Sequence, residues 1–333
     1  YCDVVGFVRN SVFCFAEWPS GPFVADEIGA NMGSTNIVIP FTLKNRFGER
    51  RKLVIKAYPH VLRDGRELPS ASVGRGVYEY RALTYLSSLL GAEYLEPTPL
   101  LYYDGPGYLV MQDYRSGPGR FLVEQEDLRF ALAAFGGMLG RVHKASLGRR
   151  PRELERVELL RSLIEFRLLS LSAELGHMVG TESLVRFAAT EGCFVLADPK
   201  PEHVFVRGRR FALLDLDWAM CANHQLDVDF FLFAVATSFS GWVGDIVTHL
   251  RGFLEGYYGA NADAAMSSKN QDCFLMNCAY HLRRCGISDK SILEIAAAAM
   301  DARTANEWDF YEAMLPLVVD CVVRTGAKSE ARS

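Results

Sequence analysis

The residues best suited to chemistry lie in one stretch, LADPKPEHVFVRGRRFALLDLDWAM, which begins at Leu196 and ends at Met220. Its three aspartates, Asp198, Asp215 and Asp217, end or follow short apolar runs of β type. Carboxylates that converge from neighbouring strands can coordinate Mg²⁺ and accept a proton from a hydroxyl nucleophile. Acids at strand ends are also common as caps, so each aspartate taken alone leaves both interpretations open.

A lysine and a glutamate earlier in the chain extend this set of charged groups. Lys56 lies in LVIKAY, a predicted strand, where a lysine is also typical of an outward polar position. Glu79 shares the apolar face of a predicted helix with Leu83 and Leu86. A carboxylate on an apolar face requires a cation, and Lys56 is the candidate.

The segment IGANMGSTNIVI predicts a turn between strands that could face an anion. Gly29 and Gly33 allow the backbone to turn so that its N–H groups approach the anion. Further donors follow at Ser34, Thr35 and Asn36. Such turns are common, so this segment gains meaning only from the residues around it.

The elements that must position these residues change character along the chain. Residues 4–58 predict strands and turns, in the order VVGFV, SVFCFAEW, NIVIPFTLKN and KLVIKAY. A helix over 76–90 and a hairpin over 100–114 follow. Beyond about residue 116, an apolar period near 3.6 predicts helices, interrupted by CFVLAD, HVFV and FALLDLD. We therefore predict a mostly β lobe, a connector and a larger mostly α lobe with a small β insert.

The composition excludes several classes of protein. The longest strongly apolar tract, FFLFAVATSFSGWV, is shorter than the roughly 20 residues of a membrane span, so no membrane partner is predicted. The eight cysteines form no C-x-x-C pair, which favours a cytoplasmic protein. Residues 198–333 hold 18 acidic and 13 basic side chains, which disfavours nucleic-acid binding. This acidic excess suits a cationic small molecule, and it is also typical of a solvated surface.

A second group of chemically capable residues has a simpler interpretation. Cys273, Cys278, His281 and Cys285 are close together in sequence, but their spacing matches no usual zinc pattern. They lie in an apolar helical run, FLMNCAYHLRRCG, so buried thiols are the better interpretation.

Taken in order, the glycine-rich turn, strand lysine, helix glutamate, hinge and aspartate loops resemble the aminoglycoside phosphotransferase and choline kinase family. The catalytic segment of that family reads approximately H-G-D-x-x-P-x-N before an apolar run, followed by I-D-x-(D/E)-x-A. Here LADPKPEHVFV and LLDLDWA occupy those places. The resemblance extends from about residue 28 to residue 233.

The resemblance implies an α+β, protein-kinase-like bilobal fold. Its N-terminal lobe would be an antiparallel β sheet plus one helix, covering residues 1–115 with the hinge, and it would bind nucleotide. Residues 116–333 would form the larger helical lobe, which carries the small β insert, the catalytic and metal loops, and the acceptor site.

The resemblance also implies a role for each charged residue. Lys56 would hold the α- and β-phosphates of the nucleotide, with Glu79 as its ion-pair partner. Asp198 would position or deprotonate the acceptor hydroxyl, and Asp215 would bind Mg²⁺ between the β- and γ-phosphates. Asp217 would be a second metal ligand or a structural acceptor.

Further positions follow from the same resemblance. The implied nucleotide-binding residues, besides Lys56 and Glu79, are Ser34, Thr35, Asn36, Met111, Gln112, Asp113 and Tyr114, of which the last four form the hinge. Asp229 is expected to be a structural acid that supports the catalytic loop.

Two positions depart from the family's pattern. Leu196 stands where the family has a histidine, so apolar packing must replace that contact. His203 stands where it has a metal-binding asparagine, and neutral imidazole is a poorer ligand for Mg²⁺ than oxygen. We hypothesise that His203 takes the place of the asparagine with a weaker metal contact, and that it tolerates Mn²⁺ or supports a single metal.

The sequence thus predicts a small-molecule kinase that uses ATP or GTP, with Mg²⁺ or Mn²⁺, to phosphorylate a hydroxyl. Aminoglycosides, choline or ethanolamine, sugars and amino-alcohols are all open as acceptors, and the oligomeric state is not predicted. Aromatic and acidic residues in NEWDFYEAM suit an amine, although a helix with an aromatic core face has the same pattern. The alternative is a pseudokinase, because of Leu196 and His203. A protein kinase is disfavoured because D-F-G and A-P-E are absent.

Overall fold

A computed structural model provides the structure of the chain. It describes residues 2–15, 18, 21–33, 36–59, 74–96, 100–149, 151–169, 181–189, 192–239, 245–260, 270–302 and 306–330.

An antiparallel sheet forms the first part of the molecule. Its strands are β1 (Val12–Phe13), β2 (Phe23–Ile28), β3 (Ile37–Asn45), β4 (Arg50–Ala57), β5 (Leu100–Tyr103) and β6 (Tyr108–Gln112). They lie side by side in the order β1-β2-β3-β4-β6-β5. Lys56 of β4 lies opposite Val38 of β3 and Leu109 of β6, so the lysine sits in the middle of the sheet.

Two helices accompany the sheet, and the first corrects a prediction. Helix α1 (Cys2–Asn10) covers the run VVGFV, which was predicted to be a strand. That prediction is wrong because short apolar runs do not distinguish the two periods, and Val4 and Val8 bury together as helical i, i+4 neighbours. Among the described residues of the run SVFCFAEW, only β1 is a strand, and β2 was not predicted.

Helix α2 (Arg75–Leu90) carries Glu79 and ends near the second part of the molecule. After it, the Glu96 N–H donates to the Phe211 carbonyl, and the Phe211 N–H donates to the Tyr94 carbonyl. This backbone pairing fixes the end of the helix segment against a strand of the helical part, and so fixes the position of Glu79 relative to that part.

The second part is mostly helical and contains most of the apolar core. Its helices are α3 (Leu128–Ser146), α4 (Val157–Leu168), α5 (Thr181–Ala189), α6 (Gln225–Ser238), α7 (Ile246–Ala260), α8 (Asn270–Arg284), α9 (Asp289–Asp301) and α10 (Glu307–Glu330). Its strands are β7 (Arg120–Phe121), β8 (Cys193–Val195), β9 (Val204–Arg207), β10 (Arg210–Leu213) and β11 (Met220–Ala222). Strands β10, β9 and β7 form one small antiparallel sheet, and β11 pairs with β8.

The α+β fold class with an antiparallel β part and a larger helical part is therefore confirmed. Within the described ranges, no helix is both long and apolar enough to cross a membrane. Cys273 and Cys278 are buried in α8, where burial raises the pKa of both thiols. In α10, Phe310 and Tyr311 are buried, so the aromatic residues of NEWDFYEAM contribute to the core.

Candidate active site

Lys56 stands at the centre of the charged residues that the sequence singled out. Its Nζ lies 2.5 Å from Glu79 Oε2 and 2.5 Å from Asp215 Oδ1, and Tyr58 also donates to Glu79 Oε2 at 2.7 Å. Burial opposes the charged form of Lys56, but Asp215 and Glu79 outweigh it, and the pKa of the ammonium is raised. The ammonium of Lys56 thus stays positively charged. It joins strand β4, which carries it, to helix α2 and to the loop after β10.

Asp215 directly faces this lysine from a strained backbone. Its φ is 63°, in the left-handed region that a non-glycine residue rarely adopts. Asn36 Nδ2 donates to Oδ1 at 3.3 Å, and His203 Nδ1 lies 3.9 Å from Oδ2. Burial acts to raise the pKa of Asp215, but Lys56 and His203 overcome this effect and lower it. The carboxylate is therefore ionised, and Oδ2 points toward His203.

Asp217 occupies a deeper position with different partners. Its Oδ2 accepts from Arg75 Nη1 at 3.0 Å, and its backbone carbonyl accepts from Arg156 Nη1 at 2.9 Å. Burial and the neighbouring Asp215 raise the pKa of Asp217 to about 7. These contacts favour the structural one of its two predicted roles.

The donor set around these aspartates fits a divalent cation. One oxygen each of Glu79, Asp215 and Asp217 lies within 4.8 Å of the others. Several buried polar atoms nearby have no hydrogen-bond partner among the described residues: Asn36 Oδ1, Glu79 Oε1, Asp217 Oδ1 and His203 Nδ1. Carboxylate oxygens suit Mg²⁺ and Mn²⁺, while an imidazole nitrogen suits the transition metal better.

The loop with Asp198 is fixed by its backbone. Ala197, just before it, also has a left-handed φ of 66°. Asp227 accepts from the N–H of Leu196 at 2.8 Å and from the N–H of Ala197 at 2.7 Å. Asp198 itself is partly exposed, and its Oδ2 accepts from Lys200 Nζ at 2.6 Å.

The acid that supports this loop is Asp227, and the expectation for Asp229 is wrong. Asp229 accepts from the Tyr311 hydroxyl at 2.5 Å, and no hydrogen bond found among the described residues joins it to the loop. Asp227 Oδ2 also contacts His143 Nε2 at 3.0 Å, and His143 Nδ1 contacts the Tyr257 hydroxyl at 2.8 Å. His143 is therefore a buried, fully partnered histidine in the last turn of α3.

A cleft of about 240 Å³ opens beside Lys56 and Asp215. The predicted hinge, Met111, Gln112, Asp113 and Tyr114, lines one side of it. Lys56, Glu79, Asp215 and His203 line the other side. The structure thus brings together all of these predicted residues around one cavity, with Asn36 bonded to Asp215 at its edge.

The glycine-rich turn is described only in part, since Ser34 and Thr35 lie outside the described residues. Asn31 Oδ1 accepts from the N–H groups of Gly33 and Val38, at 3.0 Å and 2.8 Å. A Cβ on Gly33 would lie 2.0 Å from the Asn36 carbonyl oxygen, so only glycine fits. Gly33 lines the cleft, which agrees with a turn that approaches a ligand.

Comparison with solved structures identifies the fold. An aminoglycoside-3′-phosphotransferase of type VIII superimposes with a TM-score of 0.52 at 18% identity, covering 84% of this chain and 98% of the other. The chain has the fold of the aminoglycoside phosphotransferases. The resemblance found in the sequence is therefore confirmed for the fold.

Other solved structures are similar to a lower degree. A choline/ethanolamine kinase family protein from Mesorhizobium loti has a TM-score of 0.48 at 14% identity, covering 89% of this chain and 93% of the other. An amicoumacin kinase in complex with AMP-PNP and Ca²⁺ has a TM-score of 0.47 at 15% identity, covering 97% and 93%. These neighbours are small-molecule kinases. No model of a known protein family matches the chain, and no curated protein sequence matches it significantly.

Several residues of this candidate site were missed by sequence reasoning. They are Tyr58, Arg75, Arg156, Arg167, Lys200 and Asp227. Arg167 gave a usable signal, because it continues the apolar stripe of Leu160, Leu163 and Ile164 on α4 at helical spacing. Arg75 gave none, since its partner Asp217 lies 142 residues away.

Proposed function

We propose that this protein transfers the γ-phosphate of ATP or GTP to a hydroxyl group of a small molecule. The observation that carries the proposal is the position of Lys56 Nζ, 2.5 Å from both Glu79 and Asp215 at the wall of the cleft. In kinase-type phosphoryl transfer, a strand lysine that pairs with a helix glutamate holds nucleotide phosphates, and a nearby loop aspartate holds the metal ion. The aminoglycoside phosphotransferase fold supports this proposal.

The nucleotide-binding part would use residues on both walls of the cleft. The hinge from Met111 to Tyr114 would contact the base through its backbone, and Lys56 would bind the α- and β-phosphates. Asp215 would hold Mg²⁺ or Mn²⁺, with His203 as a second ligand. A divalent ion there supplies positive charge that stabilises the transferring phosphoryl group. Asp217, whose Oδ2 is bonded to Arg75, would serve mainly to support Asp215.

The acceptor part would centre on Asp198. Its carboxylate is ready to accept a hydrogen bond from the acceptor hydroxyl and to take its proton as the phosphoryl group transfers. Lys200 Nζ, at 2.6 Å, compensates one oxygen of this carboxylate. Residues 1–115 would then form the nucleotide lobe and residues 116–333 the lobe for catalysis and the acceptor.

The acceptor class follows from charge. The acidic excess of residues 198–333 favours an amine-bearing alcohol, such as an aminoglycoside or choline, over an anionic acceptor. The absence of C-x-x-C pairs suits work in the reducing cytoplasm.

The test is a nucleotide-consumption screen with ATP and GTP over aminoglycosides, choline, ethanolamine, sugars and amino-alcohols. We expect turnover with at least one acceptor, and a loss of about 10²- to 10⁴-fold in kcat for Asp198→Asn. Asp289→Asn is the control, because Asp289 is an exposed acid that pairs with Arg283. Turnover that survives Asp198→Asn would overturn the assignment of the catalytic residue.

A pseudokinase is the second candidate, and His203 is the observation that favours it. An imidazole replaces the expected asparagine oxygen beside Asp215, and it weakens the affinity for Mg²⁺. A thermal-shift assay with ATP, GTP, Mg²⁺ and Mn²⁺ separates the candidates when combined with the screen. Binding without turnover for any acceptor would establish the pseudokinase, and no binding at all would reject both.

A further inference from the structure

Arg167 lies directly behind the loop that carries Asp198. It belongs to the last turn of α4 and is only 1% exposed. Its Nη2 donates to the carbonyl oxygen of Ala197, and its Nη1 donates to Asn277 Oδ1 at 2.9 Å. The guanidinium also stacks over the ring of Phe230, with 4.2 Å between Cζ and the ring centroid.

The charge of Arg167 is buried without a direct countercharge. No carboxylate of the described residues forms an ion pair with it, and burial lowers the pKa of the guanidinium. The strongest compensating interaction is the long-range attraction of Asp198. Burying an unpaired charge is costly, whereas leucine or methionine would fill the same apolar stripe without that cost. Packing alone therefore does not account for an arginine here.

The hydrogen bonds of Arg167 and Asp227 hold the backbone around Ala197 from two sides. Asp227 accepts from the N–H groups of Leu196 and Ala197, and Arg167 donates to the Ala197 carbonyl. Ala197 has a φ of 66°, a conformation that persists only where the surroundings impose it. Because Asp198 follows directly, the orientation of the Ala197 carbonyl sets the direction in which the Asp198 side chain leaves the backbone.

We infer that Arg167 is a positioning residue for Asp198. It supplies from α4 a polar contact to the peptide unit that directly precedes Asp198. Asn277 on α8 orients the guanidinium, since its Oδ1 occupies the second nitrogen. The inference rests on the proposed phosphotransferase function, because positioning is measured as turnover.

Two substitutions at Arg167 and one matched control test the inference. Arg167→Met keeps most of the volume and removes both hydrogen bonds. Arg167→Lys keeps the charge, but its single ammonium cannot reach both acceptors with the geometry of the planar guanidinium. The control is Arg161→Lys, on the same helix, where Arg161 is partly exposed and pairs with Glu182.

The expected result is a split between kcat and the nucleotide parameters. Arg167→Met lowers kcat by about 10- to 100-fold, while KM for the nucleotide and its Kd measured by titration stay within about twofold. Arg167→Lys is intermediate, and Arg161→Lys equals the parent protein. Asn277→Ala, which leaves the bond to Ala197 in place, loses about threefold in kcat.

Kinetic constants are divided by the folded fraction, measured by circular dichroism, so that lost stability is not counted as lost turnover. If Arg167→Met does not fold, Arg167→Lys and Asn277→Ala give the same kcat-against-KM comparison. A folded Arg167→Met with kcat within about twofold of the parent, or a loss of nucleotide affinity that matches the loss in kcat, would overturn the inference. An inactive parent protein would instead refute the proposed function, which keeps the two failures apart.

Discussion

The loop that carries Asp198 is held through its backbone, whereas Asp215 is held through the charges of neighbouring side chains. The buried side chains of Arg167 and Asp227 contact the peptide units at Leu196 and Ala197. The carboxylate of Asp198 itself accepts a hydrogen bond from Lys200 through one oxygen. Around Asp215 the contacts run from side chain to side chain, across chain segments that lie far apart in sequence. The first arrangement fixes a geometry, and the second balances a set of charges.

This difference indicates how each region responds to a ligand. The backbone contacts of the Asp198 loop are made by groups of the protein itself, so we expect the loop to be organised before nucleotide binds. The charged cluster holds three cations and three carboxylates: Lys56, Arg75, Arg156, Glu79, Asp215 and Asp217. In the proposed function, phosphates and a metal ion would add charge to that balance, and Lys56 and Asp215 would share their contacts with the ligand. We therefore expect changes in the loop to affect stability and kcat, and changes in the cluster to affect nucleotide and metal binding.

Asp227→Asn weakens the backbone contacts of the Asp198 loop and has the largest expected effect. The amide can accept from only one of the two loop N–H groups through its single oxygen, and it brings an N–H group to the other. We expect the free energy of unfolding to fall by about 3 kcal/mol, because hydrogen bonds to a charged group are lost. We expect kcat to fall by more than about tenfold, because the loop loses its anchor. Urea unfolding and steady-state kinetics measure both quantities.

Asp229→Asn is the matched control, two residues along the same helix. Burial raises the pKa of Asp229 well above its usual range, which favours the protonated form, and an amide resembles that form closely. We expect a change of less than about 1 kcal/mol in stability and no change in kcat. A larger loss of kcat in Asp229→Asn than in Asp227→Asn would show that the loop is supported by Asp229 after all.

Lys56→Met tests the cluster side. If Lys56 binds the nucleotide phosphates as proposed, removing its ammonium takes away their cation, and we expect the nucleotide Kd to rise by about 10- to 100-fold. Lys52→Met is the control, since Lys52 is an exposed lysine on the same strand. Isothermal titration with a non-hydrolysable nucleotide measures the affinity.

The double variant Lys56→Met/Glu79→Gln separates binding from folding. Lys56→Met alone leaves the buried carboxylate of Glu79 without its cation and destabilises the protein. The second change neutralises that carboxylate, so stability returns while affinity for nucleotide does not. Recovery of nucleotide affinity in the double variant would contradict a phosphate-binding role for Lys56.

The sequence was informative where a charged residue lay in an apolar element and therefore needed an oppositely charged partner. A glutamate on an apolar helix face and a lysine within a strand predicted the contact between Glu79 and Lys56, which the structure contains. The choice between Asp227 and Asp229 was not predictable in the same way. Asp227 and Asp229 lie in the same helical turn but point about 200° apart, toward nearly opposite sides of α6. The sequence does not show which side of α6 packs against the loop, and that packing decides which acid reaches Ala197.

Contacts between distant segments account for the other omissions. Arg75 and Asp217 lie 142 residues apart, and no local pattern connects them. The helix α1 was missed for a different reason, because its valines fit both the strand and the helix period. The order of the motifs therefore predicted the residues that face the cleft. The buried residues that hold them in place could be identified only from the three-dimensional structure.

His203→Asn tests metal binding at the charged cluster and has a smaller expected effect. An asparagine oxygen is a harder ligand than imidazole and coordinates Mg²⁺ better. We expect the ratio of Mn²⁺- to Mg²⁺-supported turnover to fall by about three- to tenfold, with nucleotide affinity in the absence of metal unchanged. His249→Asn, outside the cleft, is the control. An unchanged metal ratio would mean that His203 does not contact the ion.

His281→Leu has the smallest effect and probes the apolar layer behind the Asp198 loop. The His281 ring packs edge-on against Phe230, the residue that also stacks on Arg167, and its Nε2 has no partner among the described residues. Burial, reinforced by the charge of Arg167, lowers the pKa of His281 well below its usual range. The unfolded chain therefore binds a proton at His281 in mild acid while the folded chain does not.

Linkage then fixes the sign of the pH dependence. The folded state binds fewer protons, so its stability rises with pH and is lost as pH falls below the ordinary histidine pKa of about 6.5. We expect His281→Leu to remove up to about 2 kcal/mol of the stability lost between pH 7 and pH 5, with equal or greater stability at pH 7. Buried His143, whose pKa is also lowered by burial, accounts for part of the remaining slope. Urea unfolding at the two pH values, with His249→Leu as control, measures the change. An unchanged slope in His281→Leu would mean that this ring accepts its proton in the folded state, and that the layer behind the Asp198 loop is open to water.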